Sequence, residues 1–343
     1  MSSYRKGRYA YARPLEARAG TPVSENVPTL REPNADLSLR RVFAVPRDLV
    51  ELRTNHSQLL DLAARLWDES VATAPLLQRP ILLAARVTAG SVPASDRAEH
   101  WEMQGDVALL AVGDALQSRL DCALGRMEAS ISAAFVGSHP ATVARLLLET
   151  PVGAMLARRG YAVFHAGAIA GTDGKRAVVI RGAPGAGKST LVAAAHNAGL
   201  SVLGDEAVLA ARDDPDDLVS AVRDLTLPRD SAQLLGLTDS KAPERQGAGK
   251  YRIDLFASSS PTRRRARRAA TLVLGSRNGG PARLEPLAAE AFLAEFQRGE
   301  IPQEQWSGTP LHIAQHWAGS GSYRLSGTQD LAGAVAILKE LTQ

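Results

Sequence analysis

The run Gly182-Ala183-Pro184-Gly185-Ala186-Gly187-Lys188-Ser189 fits the spacing G-x-x-x-x-G-K-[ST], which belongs to a loop that wraps phosphate groups in backbone N–H donors. Its glycines let successive amides turn inward. A helix opening at Thr190 would add unpaired N–H groups and the positive end of its dipole. Lys188 would reach the β- and γ-phosphates of a nucleoside triphosphate. The Ser189 hydroxyl would ligate the accompanying Mg²⁺, an ion that keeps most of its waters and takes few protein ligands. Residues 182–190 together form the expected nucleotide site. A dinucleotide reading fails, because G-x-G-x-x-G begun at Gly185 would need glycine where Thr190 stands.

A phosphate loop alone does not separate a kinase from an ATPase or a nucleotide sensor, so an acid is needed next. Asp205 and Glu206 follow the apolar segment Ser201-Val202-Leu203, at what reads as a strand end. Two adjacent carboxylates can divide labour: one holds Mg²⁺ directly or through water, and the other takes a proton from an attacking hydroxyl. The alternative is a solvated acidic strand end. His165 lies in an apolar stretch and is either a donor to the phosphates or a satisfied core histidine. Lys250 and Arg252 alternate along Gly249-Lys250-Tyr251-Arg252-Ile253-Asp254-Leu255. They either place positive charge on a transferring phosphoryl group or guard an exposed edge strand.

These residues require a sheet to hold them. Residues 161–170 and 176–181 read as strands joined by the turn Gly171-Thr172-Asp173-Gly174. The helix expected over 190–197 follows the loop. Further strands are expected at 201–204, 207–212, 251–256 and 269–276, with helices at 288–297 and 328–342. Residues 142–159 have the spacing of one or two amphipathic helices ending at Gly160. Asp213 to Asp217 reads as a loop. So does the basic run from Arg263 to Arg268, which follows Ser258-Ser259-Ser260-Pro261 and reads as solvated charge. Upstream, Leu52, Leu59, Leu60, Leu62, Ala63 and Leu66 recur at helical spacing within 50–67, and 106–132 looks like short strands turning at Gly113 and Gly125. Trp67 and Trp101 read as core. The chain therefore divides into a disordered basic tail over 1–36, a small α+β module over 37–141 and an α/β phosphate-loop domain with a mixed sheet over 142–343.

Composition sets outer limits. With 343 residues and 45% hydrophobic content, wholesale disorder is excluded. A net charge of +4 is too mild to demand a polyanionic partner, so nucleic acid is not expected. The single cysteine, Cys122, cannot form an internal disulfide, which fits a reducing compartment, the cytoplasm. No apolar window is long enough for a transmembrane helix, and the basic N-terminus lacks the apolar segment of a secretory signal.

The order Phe164-His165-Ala166-Gly167-Ala168, a hairpin, the phosphate loop, then Leu203-Gly204-Asp205-Glu206-Ala207-Val208 resembles the catalytic domain of bacterial HPr kinase/phosphorylase. It is more similar still to HPr-kinase-like proteins found beside peptide-modification genes. That family shares its core with phosphoenolpyruvate carboxykinase, and the resemblance covers residues 142–343. It implies a kinase that moves the γ-phosphoryl group of Mg-ATP to a serine or threonine hydroxyl of a protein or peptide. It further suggests Asp205 as base and Glu206 beside the metal with Ser189, with the two carboxylate roles left exchangeable, and His165 near the phosphates. The family pair is usually Asp-Asp, so Glu206 is a departure. The family's Glu-x-Arg-Gly-Leu-Gly run has no counterpart here, and with it go the reverse reaction and HPr as substrate. Residues 37–141 do not match the module through which relatives assemble, which leaves a homo-oligomer open. The alternatives are a nucleotide-binding regulatory module or ATPase without kinase activity, and a small-molecule kinase.

Overall fold

The computed structural model describes residues 37–45, 48–69, 79–90, 99–220, 224–237, 244–246, 250–254, 265–275, 279–298 and 310–343. The expected tail, Gly249, and the stretch from Leu255 to Arg264 lie outside them.

The first half of the chain builds one mixed sheet. Its strands are β1 (Leu39–Val45), β2 (Asp48–Thr54), β3 (Asp68–Glu69), β4 (Ile81–Thr88), β5 (His100–Gln104), β6 (Val107–Val112), β7 (Leu116–Asp121) and β8 (Arg126–Ser132). They lie in the order β3-β1-β2-β4-β8-β7-β6-β5, with β2, β4 and β8 parallel. The helix expected across 50–67 is shorter: α1 spans Ser57–Leu66. Upstream of it, Val50, Leu52 and Thr54 are buried on one face of a strand, while Glu51 between them is buried in its ion pairs with Arg40 and Arg53. Leu52 matched the helical spacing by coincidence of count.

A helical segment then crosses to the second half: α2 (Ala133–Ser138), α3 (Pro140–Val143), a π-helical turn (Ala144–Glu149) and α4 (Thr150–Arg158). Leu146, Leu147, Val152 and Met155 are buried in one cluster with the first sheet and with Tyr161, Leu209, Ala211 and Val219 of the second.

The second sheet carries the glycine-rich loop 182–187. Its strands are β9 (Tyr161–Phe164), β10 (Gly167–Ala170), β11 (Arg176–Arg181), β12 (Ser201–Gly204), β13 (Val208–Ala211), β14 (Asp217–Ser220), β18 (Arg265–Leu274), β19 (Arg283–Pro286) and β20 (Ser322–Ser326). Strands β11, β18 and β20 are parallel and the other pairings antiparallel, so this sheet too is mixed. Alternation along β11 assigns its two faces. Val178 and Ile180 pack with α5 (Lys188–Asn197) and with the C-terminal helix Leu331–Leu341, whereas Ala177 and Val179 pack under the helices Ala289–Arg298 and Pro310–Ala318. These three later helices are α9, α7 and α8.

Residues 161–170, expected as one strand, are two. Strand β9 pairs with β13, and β10 pairs with β11 and β12. The register nevertheless runs on across the break, from Phe164 opposite Val208 to Ala168 opposite Gly204. Yet β9 and β10 stand five positions apart in the order β12-β10-β11-β18-β14-β13-β9. At roughly 4.8 Å per strand a flat sheet would separate them by about 24 Å. The chain from Phe164 to Gly167 spans at most about 11 Å, so the sheet must curl until its ends approach. His165, Asp205 and Glu206 sit at that break.

Two expectations about basic residues are corrected. The arginine run does not lie wholly on a loop. Strand β18 begins at Arg265, and the aspartates expected as a loop face it: Arg265 Nε meets Asp217 Oδ1 at 2.6 Å, Arg268 Nε meets Asp216 Oδ1 at 2.7 Å, and Arg267 pairs with Asp214. Carboxylates opposite the run let it enter a sheet without stranding charge. The strand β17 (Lys250–Asp254) is not an edge. It is the middle of a three-stranded sheet between β15 (Asp224–Pro228) and β16 (Glu244–Gln246). Among the described residues, no helix is long and apolar enough to cross a membrane.

Candidate functional site

Strand β11 ends at Arg181, and the glycine-rich segment 182–187 leads into α5 at Lys188. Gly187 caps the helix with φ 101°, a left-handed conformation that a side chain would strain. The cradle is therefore local in origin: a buried strand, a turn only glycine makes easily, and a helix start. Lys188 is buried, and its Nζ donates to the Gly182 carbonyl at 2.8 Å, which holds the cation across the loop.

Beneath the loop the second sheet supplies the acid. Ser189 Oγ donates to Asp205 Oδ1 at 3.1 Å, and the Thr226 N–H donates to Asp205 Oδ2 at 3.3 Å. Asp205 is only 2% exposed. Burial first, and then the neighbouring Glu206 charge, push its carboxyl up to about 7, against the Ser189 and Thr226 hydrogen bonds and the Lys188 charge. Gly167 makes this proximity feasible. A Cβ there would lie 2.5 Å from Val192 Cγ2 of α5 and 3.8 Å from Asp205 Oδ1.

Glu206 differs from its neighbour in every respect. Its φ of 69° is the single positive value at a non-glycine position among the described residues, a conformation costing roughly 1–3 kcal/mol that concentrates at functional sites. Its side chain is 44% exposed. His165 Nδ1 lies 3.2 Å from the Glu206 carbonyl and 3.8 Å from its Oε2. The Ala207 N–H donates to the Asp205 carbonyl at 2.9 Å, closing the tight turn that separates the two carboxylates.

The expected residues thus fall into two groups. The loop 182–190, Asp205, Glu206 and His165 come together. Lys250 and Arg252 are placed by register opposite Pro228 and Thr226, the latter being the residue whose N–H meets Asp205. Sequence reasoning missed Thr226 and Ser231. The Ser231 hydroxyl lies 2.9 Å from Thr190 Oγ1. Neither belongs to a motif, and only the packing of the β15 to α6 (Arg229–Leu234) segment against α5 brings them in.

Mg²⁺ fits the oxygens present. Adjacent ligands of an octahedral Mg²⁺ at roughly 2.0–2.1 Å lie about 2.9 Å apart, and Ser189 Oγ and Asp205 Oδ1 are 3.1 Å apart. Among the described residues there is no group of three or more His, Cys, Asp or Glu that could hold a metal. A cation here would keep waters or take phosphate oxygens.

No family model matches the chain, and neither does any curated protein. Among solved structures, the Hpr(Ser) kinase/phosphatase from Coxiella burnetii overlaps it at 14% identity and a TM-score of 0.27, covering 51% of this chain and 93% of that one. An overlap that poor carries no argument about chemistry, which rests on the geometry above.

Proposed function

We propose that the protein is a Mg-ATP-dependent kinase that transfers the γ-phosphoryl group to a serine or threonine hydroxyl of a protein or peptide. One observation carries the reading: the phosphate loop's own hydroxyl, Ser189, is bonded to a buried carboxylate, Asp205, with a second, exposed carboxylate next in the chain.

Phosphoryl transfer asks mostly for positioning and charge neutralisation. The backbone N–H groups of 182–190, Pro184 excepted, and Lys188 would hold the phosphates. Ser189 and Asp205 would hold Mg²⁺, which when bound would supply charge neutralisation for the phosphate oxygens. The geometry favours reversing the division implied by the family resemblance. Both Asp205 oxygens are engaged below the loop, which suits a metal partner. Glu206 is exposed and held by its backbone beside His165, which suits a base open to an incoming alcohol. Glu206 would accept the hydroxyl proton as the oxygen attacks phosphorus and the ADP oxygen leaves. His165, bonded to the Glu206 carbonyl, keeps that strained residue in place.

A second reading has one observation in its favour. A half-exposed Glu206 can activate water as readily as an alcohol, which would make the protein an acceptor-independent ATPase. Incubation with Mg-ATP and serine- or threonine-containing peptides, followed by mass spectrometry, separates the two. The kinase reading expects a peptide heavier by one phosphoryl group, and ADP released only when peptide is present. Lys188→Ala should abolish nucleotide binding or turnover. Glu206→Gln should retain Mg-ATP affinity and slow transfer by roughly 10² to 10⁴, the size of a general-base contribution. Turnover at the wild-type rate in Glu206→Gln would return the base role to Asp205.

A further inference from the structure

We infer that Arg229 is a second phosphate-contacting cation of this site, facing the phosphate chain across the cradle from Lys188; the inference rests on the nucleotide reading above. Arg229 opens α6, is exposed, and has no ion-pair partner among the described residues. That sets it apart from Arg265, Arg267 and Arg268, each of which faces an aspartate.

Its place in the chain is fixed from both sides. Three residues before it, the Thr226 N–H is bonded to Asp205; two residues after it, Ser231 is bonded to Thr190, the residue that follows the loop's lysine and serine. At 3.8 Å per residue, the Arg229 Cα lies within roughly 8 Å of the Ser231 Cα and within roughly 11 Å of the Thr226 Cα. On the nucleotide reading a triphosphate lies along the start of α5, between Asp205 and Thr190, and a side chain rooted at Arg229 is long enough to reach it.

Little of this segment is free to move. Pro228 precedes Arg229 with φ −57°, Leu225, Leu227 and Ala232 are buried against Leu191 and Val192 of α5, and Asn197 Nδ2 donates to the Leu235 carbonyl at 2.9 Å. Charge supplies the need. A triphosphate placed beside the carboxylates of Asp205 and Glu206 brings more negative charge than Lys188 and one Mg²⁺ offset. A planar guanidinium with several donors suits phosphate oxygens.

The test is calorimetric titration of the full chain with Mg-ATP and, separately, with Mg-tripolyphosphate, which has neither base nor ribose. Arg229→Ala is expected to weaken both ligands by roughly 10-fold to 100-fold, the range for a lost charge-assisted hydrogen bond at a partly open site. Arg229→Lys should recover part of the loss, since charge returns without the fork. Arg176→Ala, an exposed arginine at the far end of β11, should bind as wild type does, which separates a contact from a general loss of charge. The far-UV spectrum of Arg229→Ala should match wild type, because the side chain has no ion-pair partner among the described residues. Binding of both ligands within two-fold of wild type in Arg229→Ala would overturn the inference while leaving the nucleotide site intact. Weakening of Mg-ATP alone would also overturn it, by moving Arg229 to the nucleoside. A wild-type chain that binds neither ligand would instead remove the nucleotide reading itself.

Discussion

At the scale of single residues, the informative contrast is between Asp205 and Glu206, adjacent in sequence and opposite in environment. Asp205 is buried with its carboxyl pushed up to about 7. In the unfolded chain an aspartate titrates near 4. Between roughly pH 4 and 7 the folded state therefore binds the extra proton, and stability falls as pH rises through that window. Asp205→Asn removes the titration. In the absence of metal, thermal unfolding should show the variant gaining on wild type as pH is raised from 4.5 to 8. Added Mg²⁺ should stabilise wild type at pH 8 and leave the variant little changed. Equal pH profiles for the two proteins would mean that Asp205 is not buried as a charge.

At the scale of elements, the break between β9 and β10 sets the site. A long antiparallel ribbon keeps its register through 165–167 and 205–207 but gives up its pairing there, so two connections pass side by side and carry His165, Asp205 and Glu206. Helix α5 closes on this ribbon through Gly167. Val192, on which a Cβ at 167 would fall, is fully buried and β-branched, so it has no room to move aside. Gly167→Ala should lower stability by about 1–3 kcal/mol, the usual cost of overpacking. It should also weaken Mg-ATP binding, because α5 carries Lys188 and Ser189. Urea denaturation and nucleotide titration of the same variant check both. Unchanged values would mean that helix and ribbon are not in contact at this point.

At the scale of the whole molecule, one apolar cluster contains residues of both large sheets, Leu52 and Met127 of the first and Leu209, Ala211 and Val219 of the second, together with Cys122 in the turn after β7. Shared burial of this kind couples the unfolding of the parts that share it. Cys122 reports on it. The thiol is buried, which pushes its pKa up to about 11 and leaves almost no reactive thiolate at neutral pH. Maleimide labelling of Cys122 should be negligible in buffer. Across a urea series, its onset should coincide with the loss of Mg-ATP binding. Labelling at distinctly lower urea would show that the first half opens alone. The buried Arg268 makes a comparable link within the second half, stacked 5.5 Å from the Trp317 ring and bonded to Asp216 and Ser320.

What sequence alone determined is local. The strand, glycine-rich loop and helix of residues 176–197 are legible because they are contiguous, and the acidic pair because its members are neighbours. The helix at the C-terminus and the strands turning at Gly113 and Gly125 follow from periodicity and turn chemistry for the same reason. The tertiary structure decided every relation between distant segments. It put Ser189 on Asp205, Thr226 on the other Asp205 oxygen, Ser231 on Thr190, and aspartates opposite the arginine run. It also made β17 a central strand and split 161–170 where the sheet curls. Spacing along a chain encodes which residues share a turn or a face. Which faces meet depends on how strands from separate segments pair and how much apolar surface they bury together, and no single segment carries that information.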